Sequence, residues 1–287
     1  MMKTIKIMSF AVCGMLVLHL SGIAAEGSAT KPLVFVLSGQ SNMLGRAVFK
    51  SGDQELFKLP PNVSFVDEGV KKEAFGHGGG SGETKKLTST SFGPEVGFAN
   101  AITQAMPRRE IILIKRAKGG TNIAFWTPEK IADGVKADNQ GCKTGPWFNL
   151  LIHEVRETVG SKEVEWGAVL WMQGCSDSNK ETTAAVYCEK QAQLVAAFRK
   201  EIGNLQLPFI FGQVNPPLEK YPFADLLRAQ QEQYEKQDPL SRRVLTDDLT
   251  KLLDNLHYNR EGQLELGKRF AEAWLAARQA NEAGKKP

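Results

Sequence analysis

Short runs of apolar residues recur along the chain, separated by longer segments with helical periodicity. The runs are Leu33–Leu37, Ile111–Ile114, Trp166–Met172, Leu207–Phe211 and the shorter Val244–Thr246. A strand that is buried on both faces is apolar throughout, whereas a half-buried strand alternates apolar and polar residues. The pattern therefore predicts five strands in the interior of a sheet.

Between these strands, apolar residues recur with the spacing of amphipathic helices. Predicted helices begin at Phe92-Gly93-Pro94-Glu95 and cover Pro146–Val159, Thr182–Glu201, Pro222–Lys236 and Gln263–Asn281. Strands and helices that alternate at these distances form right-handed crossover units. We expect an α/β fold in which helices cover both faces of a mainly parallel five-stranded sheet. Functional residues of such folds lie beyond the carboxyl ends of the strands.

Residues 50–92 show neither pattern and are predicted to be irregular. Their glycine-rich segment runs from Gly76 to Gly82 and continues as Glu83-Thr84-Lys85. A phosphate-binding loop needs the order Gly-x-x-x-x-Gly-Lys-Ser/Thr, so the match fails. We interpret the segment as a surface loop, and a loop close to the substrate is the alternative.

Residues 1–25 have the pattern of a secretory signal peptide. Lys3 and Lys6 precede an apolar run over Ile7–Leu20, and the small residues up to Ala25 suit signal peptidase. The run is short for a bilayer span, which favours cleavage over a retained membrane anchor. We predict a signal peptide over 1–25 and a single domain over 26–287. The location is then the periplasm or the extracellular space, without membrane association after cleavage.

The composition is that of a globular protein, with 42% hydrophobic and 24% charged residues. The formal net charge is +4, and removal of Lys3 and Lys6 leaves 4 − 2 = +2. So small a net positive charge gives no reason to expect a nucleic acid or an anionic membrane as a partner. The sequence leaves the oligomeric state open.

Three cysteines follow the signal segment, namely Cys142, Cys175 and Cys188. Export permits one disulfide among them, with three choices of pair and one thiol left over. They lack the CxxC spacing of zinc sites, and we predict no metal.

The few histidines allow a catalytic base to be chosen by elimination. His19 leaves with the signal, His77 lies in the glycine-rich segment, and His153 lies on a predicted helix, where a histidine is more often structural. His257 follows Asp254 by three residues, which places the two side chains on one side of a helical turn. An aspartate at that distance can fix the imidazole tautomer and stabilise the imidazolium.

The segment Ser38-Gly39-Gln40-Ser41-Asn42-Met43 follows the first strand and places Ser41 at a strand-to-helix turn. Such a serine is exposed at the edge of the sheet beside free backbone N–H groups, although the order is not that of a Gly-x-Ser-x-Gly elbow. Gly119 and Gly120 follow the second strand and Gln173 follows the third. Backbone and amide N–H groups at these positions can stabilise an oxyanion.

Together these segments resemble a known enzyme family. Gly39-Gln40-Ser41-Asn42-Met43, Phe92-Gly93-Pro94-Glu95, Gly119-Gly120-Thr121, Trp171-Met172-Gln173-Gly174 and Asp254-x-x-His257 are similar to the sialate O-acetylesterase-like branch of the SGNH hydrolases. That branch includes carbohydrate esterase family 6 with its acetyl xylan esterases. The resemblance covers about residues 32–277.

The resemblance implies a flavodoxin-like three-layer α/β/α sandwich, no cofactor, and hydrolysis of acetyl esters on sugars or glycans. It implies that Ser41 is the nucleophile, His257 the general base and acid, and Asp254 its orienting partner. The implied oxyanion donors are the Ser41 N–H, the Gly120 N–H, with Gly119 as the alternative, and the Gln173 side chain. We further expect Gln40, Asn42 and Trp126 to contact the substrate.

One position departs from the family. Its third block commonly reads Gln-Gly-Glu-Ser-Asp, whereas this chain has Cys175 in place of the glutamate. We expect compensation for the lost carboxylate, through a disulfide from Cys175 to Cys142 or Cys188. A reactive role for Cys175 is poorly supported, since no histidine or lysine adjoins it.

Two other functions stay open on the sequence alone. One is a carbohydrate-binding protein that kept the fold and lost turnover, which only Cys175 supports. The other is an esterase for a non-carbohydrate acyl ester such as a lipid, which the lack of a long apolar segment beyond the signal disfavours. The choice among xylan, sialic acid and other acetylated glycans is not readable from residue spacing.

Overall fold

The structure, a computed structural model, describes residues 30–78, 90–128 and 146–283. The strands in these ranges are β1 (Leu33–Gly39), β2 (Ala47–Val48), β3 (Val63–Asp67), β4 (Val70–Lys72), β5 (His77–Gly78), β6 (Thr90–Phe92), β7 (Ile111–Ala117), β8 (Glu165–Met172), β9 (Phe209–Gly212) and β10 (Ser241–Val244). The helices are α1 (Ser41–Leu44), α2 (Gln54–Phe57), α3 (Glu95–Ala105), α4 (Pro146–Val159), α5 (Glu181–Ala184), α6 (Tyr187–Ile202), α7 (Ala224–Gln237) and α8 (Arg260–Ala283).

Seven of these strands form the central sheet, in the order β10-β9-β8-β1-β7-β3-β4. All neighbouring pairs are parallel except β3 with β4. The α/β class with a mainly parallel sheet is therefore confirmed, but the predicted number of five strands is wrong. The two additional strands lie at one edge, within residues 50–92, which we predicted to be irregular. Short β2, β6 and β5 form a separate sheet.

Strand β1 lies in the middle of the sheet and is buried along its whole length, because β7 and β8 flank it. On one face, the Phe35 ring contacts Phe98 of α3 and Trp274 of α8, with ring centroids 4.7 and 4.9 Å apart. Ala168 of β8 pairs with Phe35, so Trp171, three residues on, points to the opposite face. There its indole N–H donates to the Tyr187 hydroxyl of α6 at 3.3 Å. Helices therefore cover both faces.

A buried ion pair supports the segment that follows β1. The Lys115 ammonium of β7 donates to Glu95 Oε2 at 2.7 Å and to the Leu44 carbonyl at 2.9 Å, and both charged residues are about fully buried. The Gly93 N–H donates to the other Glu95 oxygen at 2.9 Å. A buried charge must be paired and hydrogen-bonded to be tolerated, so this geometry ties the last residue of α1 to the sheet and to α3.

Two helical predictions need correction. The helix expected over Thr182–Glu201 is interrupted between Ala184 and Tyr187, giving α5 and α6. The stretch from Asp254 to His257 is not a helical turn, because Asn255 has a φ of +55° in the left-handed region. No helix within the described ranges has both the length and the apolar character to cross a membrane.

Candidate active site

The chain makes a tight turn where β1 ends, and Ser41 opens α1 directly beyond it. Gly39 has a φ of +145°, and a Cβ atom there would lie 2.2 Å from the Met172 carbonyl oxygen. Only glycine fits so close an approach in that conformation. The Gln40 N–H donates to the same carbonyl at 2.9 Å, so the turn is fixed to β8. Ser41 is thereby held at the carboxyl edge of the sheet.

His257 and Asp254 meet Ser41 across this edge. The His257 Nε2 atom lies 2.9 Å from Ser41 Oγ, and its Nδ1 atom lies 2.6 Å from Asp254 Oδ2. Asp254 Oδ1 accepts the backbone N–H groups of Leu256 at 3.0 Å and His257 at 2.9 Å. A tight non-helical turn thus places the two side chains together. The structure brings neither alternative to Ser41: His77 lies in β5, and His153 is exposed on α4.

The electrostatics of the aspartate suit a base that must stay oriented. Burial acts to raise the pKa of Asp254, but hydrogen bonds from the His257 N–H and ring and from the Leu256 N–H hold it at about 2. The carboxylate is therefore ionised throughout the neutral range. The carboxylate accepts a hydrogen bond from the His257 Nδ1–H group. The Nε2 atom of the neutral imidazole is then free to accept the Ser41 hydroxyl proton.

Asn42 connects the turn after β1, which carries Ser41, to the histidine loop, which we define as residues 254–258. Its Nδ2 donates to the Leu256 carbonyl and its Oδ1 accepts the Tyr258 N–H, both at 3.0 Å. The Asn42 carbonyl accepts the Gln263 side-chain amide at 3.1 Å. Asn42 is 1% exposed. Both ends of its amide hold the loop that carries His257, a geometry that favours a positioning role, and its contact with substrate stays a prediction.

Gln173 is also committed to internal partners. Its Nε2 donates to the Thr121 carbonyl at 2.9 Å and to Asp177 Oδ2 at 2.6 Å, which uses both amide hydrogens. Its Oε1 accepts the Tyr187 hydroxyl at 2.9 Å, and the residue is fully buried. The expected donation from the Gln173 side chain to an oxyanion is therefore not supported. Burial raises the pKa of Asp177 to about 7, against the effect of the hydrogen bonds from Gln173 and Ile123.

Ser41 lines a cavity of about 560 Å³. The described residues that line it are Gln40, Ser41, Leu44, Arg46, Lys118, Gly119, Gly120, Ser176, Tyr221, Leu256 and His257. At Gly120, with a φ of +73°, a Cβ atom would point into open space, so its backbone is accessible from the cavity. Ser41 and Gly120 N–H groups have no acceptor among the described residues. These two predicted donors are thus available at the cavity.

Residues 31–276 match the family described as carbohydrate esterase, sialic acid-specific acetylesterase. The chain belongs to this family. Membership makes it an esterase of O-acetylated carbohydrates. A relative from Arabidopsis thaliana, described as a probable carbohydrate esterase, is 28% identical to this esterase over an alignment of 261 residues, and the match covers 85% of this chain and 90% of the relative.

Solved structures agree with the fold of the esterase. A structure from Arabidopsis thaliana superposes with a TM-score of 0.65 at 25% identity, covering 86% of this chain and 98% of that one. A carbohydrate acetylesterase from Xanthomonas citri gives 0.65 at 21% identity, covering 86% of this chain and 57% of that one. NanS gives 0.65 at 14% identity, covering 88% and 99%. At such identities the last two show the fold alone.

The burial of two further side chains bears on the expectations for the esterase. Trp126 is fully buried and its indole N–H donates to Thr121 Oγ1 at 3.0 Å, which disfavours a contact with substrate and leaves that expectation a prediction. Cys175 and Cys188 are both buried free thiols, so the expected pairing of these two is wrong, while Cys142 lies outside the described residues. Burial raises the pKa of Cys175 to about 12, which suppresses thiolate reactivity.

The sequence prediction missed several residues that line the cavity of the esterase. Arg46 follows Ser41 by five residues and belongs to the same segment, so its proximity to the serine was readable. Lys118 directly precedes the glycine pair, and its Nζ lies 5.3 Å from the centroid of the Trp147 ring. Leu256 directly precedes His257 and was readable in the same way, whereas Tyr221 has no such signal, because a distant segment brings it to the cavity.

The Asn42 bridge predicts a selective loss of activity. Asn42→Ala removes both side-chain hydrogen bonds to the histidine loop, and we expect a stability loss of about 1–3 kcal/mol together with a fall in kcat of at least about tenfold. Asn62→Ala is the matched control, because Asn62 Nδ2 bonds the Arg109 carbonyl at 2.8 Å near the amino end of β7. It should lose comparable stability without loss of kcat. Urea unfolding and acetate release measure both effects. Equal kcat in the two variants would contradict the role of Asn42.

Proposed function

We propose that this chain is an exported serine esterase that removes O-acetyl groups from carbohydrates through an acetyl-Ser41 intermediate. The observation that supports it best is the continuous line from Asp254 through His257 to Ser41, with contacts of 2.6 and 2.9 Å, at the cavity of a carbohydrate esterase. Export rests on the signal-like pattern of residues 1–25, which lie outside the described residues.

In the first half-reaction, Ser41 Oγ attacks the acetyl carbonyl carbon while His257 Nε2 takes the hydroxyl proton. The carbonyl π electrons move to oxygen, and the oxyanion accepts the Ser41 and Gly120 N–H groups. Each well-placed donor lowers such a barrier by about 2.7–4 kcal/mol. Collapse of the intermediate breaks the bond to the sugar oxygen, which leaves with the proton from His257.

In the second half-reaction, water replaces the sugar alcohol. His257 takes a proton from water as the water oxygen attacks the acetyl-Ser41 carbonyl, and collapse expels the Ser41 oxygen, which regains the proton. Asp254 stays ionised during both steps and stabilises the imidazolium that forms each time. The complete line of three groups favours turnover over a protein that only binds carbohydrate.

The charges at the cavity favour an acidic sugar as the substrate. Arg46 and Lys118 line it together with Ser41, and the described lining includes no carboxylate. Arg46 is exposed, and its guanidinium has no ion-pair partner within the described part of the chain. A guanidinium recognises a carboxylate with two parallel hydrogen bonds. An O-acetylated sialic acid, the sugar that the family description mentions, has such a carboxylate.

Replacement of the nucleophile should abolish turnover. Ser41→Ala should lower acetate release by at least about 10³-fold and should not react with a fluorophosphonate probe that labels the wild type. Ser38→Ala is the matched control, since Ser38 is fully buried three residues earlier and its Oγ has no hydrogen-bond partner among the described residues. It should keep activity and labelling. Full acetate release by Ser41→Ala would reject the proposed mechanism.

Removal of the arginine charge should act on acidic substrates only. For Arg46→Gln we expect KM for an O-acetylated sialic acid to rise about tenfold, because a charge-assisted hydrogen bond is lost, with kcat/KM unchanged for the methyl ester of the same sugar. Arg108→Gln removes the same charge from an exposed position near the amino end of β7 and should change neither. If both sugars respond equally to Arg46→Gln, the acidic-sugar assignment is wrong, whereas the serine mechanism stands.

A further inference from the structure

The oxyanion site still lacks a side-chain donor, because the Gln173 amide is consumed by Thr121 and Asp177. A second glutamine lies at the same cavity, directly before the nucleophile. Gln40 is 3% exposed and lines the cavity together with Ser41 and Gly120. Its amide is therefore a candidate for the missing contact.

The orientation of the Gln40 amide is set by its neighbours. Its Oε1 accepts the Gly174 N–H at 2.9 Å and faces the Ser176 N–H at 3.4 Å. Backbone N–H groups can only donate, so the atom that faces them must be the oxygen and the NH₂ group must lie on the other branch. The orientation of this amide is thus determined by chemistry.

The Gln40 Nε2 group has no acceptor within the described residues, and it is not among the buried atoms that lack a partner. A side chain that is almost wholly buried, whose oxygen is fixed and whose nitrogen reaches the surface of the cavity, offers two unused hydrogens there. Because its oxygen is fixed by the protein and its nitrogen faces the cavity beside the nucleophile, the amide is placed to donate to an acceptor atom of a bound ligand.

We propose that Gln40 Nε2 donates a hydrogen bond to the acetyl carbonyl oxygen and to the oxyanion formed from it, in the place assigned by resemblance to Gln173. Gln40 is then a catalytic residue, and Gln173 holds the loop behind it. This inference rests on the proposed attack by Ser41. No additional proton is transferred, since Gln40 donates a hydrogen bond throughout.

The contacts that orient Gln40 do not depend on the side chain at position 175, where this chain has a cysteine and the family commonly has a glutamate. The N–H groups that fix Gln40 belong to Gly174 and Ser176, the two neighbours of Cys175, and the Cys175 side chain is itself buried. The backbone of this loop, rather than the side chain at position 175, orients the donor. The exchange of the family's glutamate for cysteine therefore leaves the Gln40 contact intact.

The test is Gln40→Glu, which keeps the acceptor for the two N–H groups and removes the donor. We expect kcat to fall about 10²–10³-fold with KM within about twofold, because the donor acts on the oxyanion. The rate of fluorophosphonate labelling, which also places charge on an oxygen in this site, should fall in parallel, while the melting temperature stays close to that of the wild type. Gln206→Glu adds the same charge at an exposed position far from the cavity and should have no effect.

Gln40→Met provides an uncharged second variant that lacks the donor, and it decides the question if Gln40→Glu does not fold. A folded Gln40→Met with kcat within threefold of the wild type overturns the proposal. A rise in KM at unchanged kcat in either variant also overturns it, because Gln40 would then contact the bound sugar equally before and during reaction. These outcomes are distinct from failure of the serine mechanism, which would appear as acetate release by Ser41→Ala.

Discussion

The site depends on one hydrogen-bonded amide that joins two distant parts of the chain. Ser41 and His257 are separated by 216 residues, and the two described cysteines, which are free thiols, do not link them. Asn42 does so with a donor to the Leu256 carbonyl and an acceptor for the Tyr258 N–H. The amide contacts the residues on both sides of His257, so it fixes both the position and the orientation of the imidazole. Because Asn42 is 1% exposed, its bonds are stronger than they would be in water.

The order of strands in the sheet brings the remaining groups of the site together. Because β1 lies between β7 and β8, the turns that follow these three strands meet at one edge. They deliver Ser41, the glycine pair and the loop of Gly174 to one cavity. Beneath them, the Lys115–Glu95 pair fixes the end of α1 to β7. Every group that the mechanism uses is therefore attached to a strand end or to the Asn42 bridge, which limits motion of the reacting atoms.

The parts of this picture that sequence could predict are those encoded locally. The buried strands are continuous apolar runs, and the spacing of Asp254 and His257 fits within one turn of chain, although that turn is not helical. The last two strands on one side of the sheet, β3 and β4, were missed because they mix polar and apolar residues over a few positions. The internal partners of Asn42 and Gln173 were missed for a different reason. An amide can bond to protein or to substrate, and only its distant partners decide which.

The central claim is that an acetyl group passes through Ser41, and partitioning of that intermediate tests it most directly. With methanol added as a competing acceptor, the ratio of methyl acetate to acetate should be the same for an O-acetylated sugar and for 4-nitrophenyl acetate. The account predicts this because both substrates give the same acetyl-enzyme, from which the leaving group has departed. A ratio that varies with the leaving group would show direct attack on the substrate and would contradict the account.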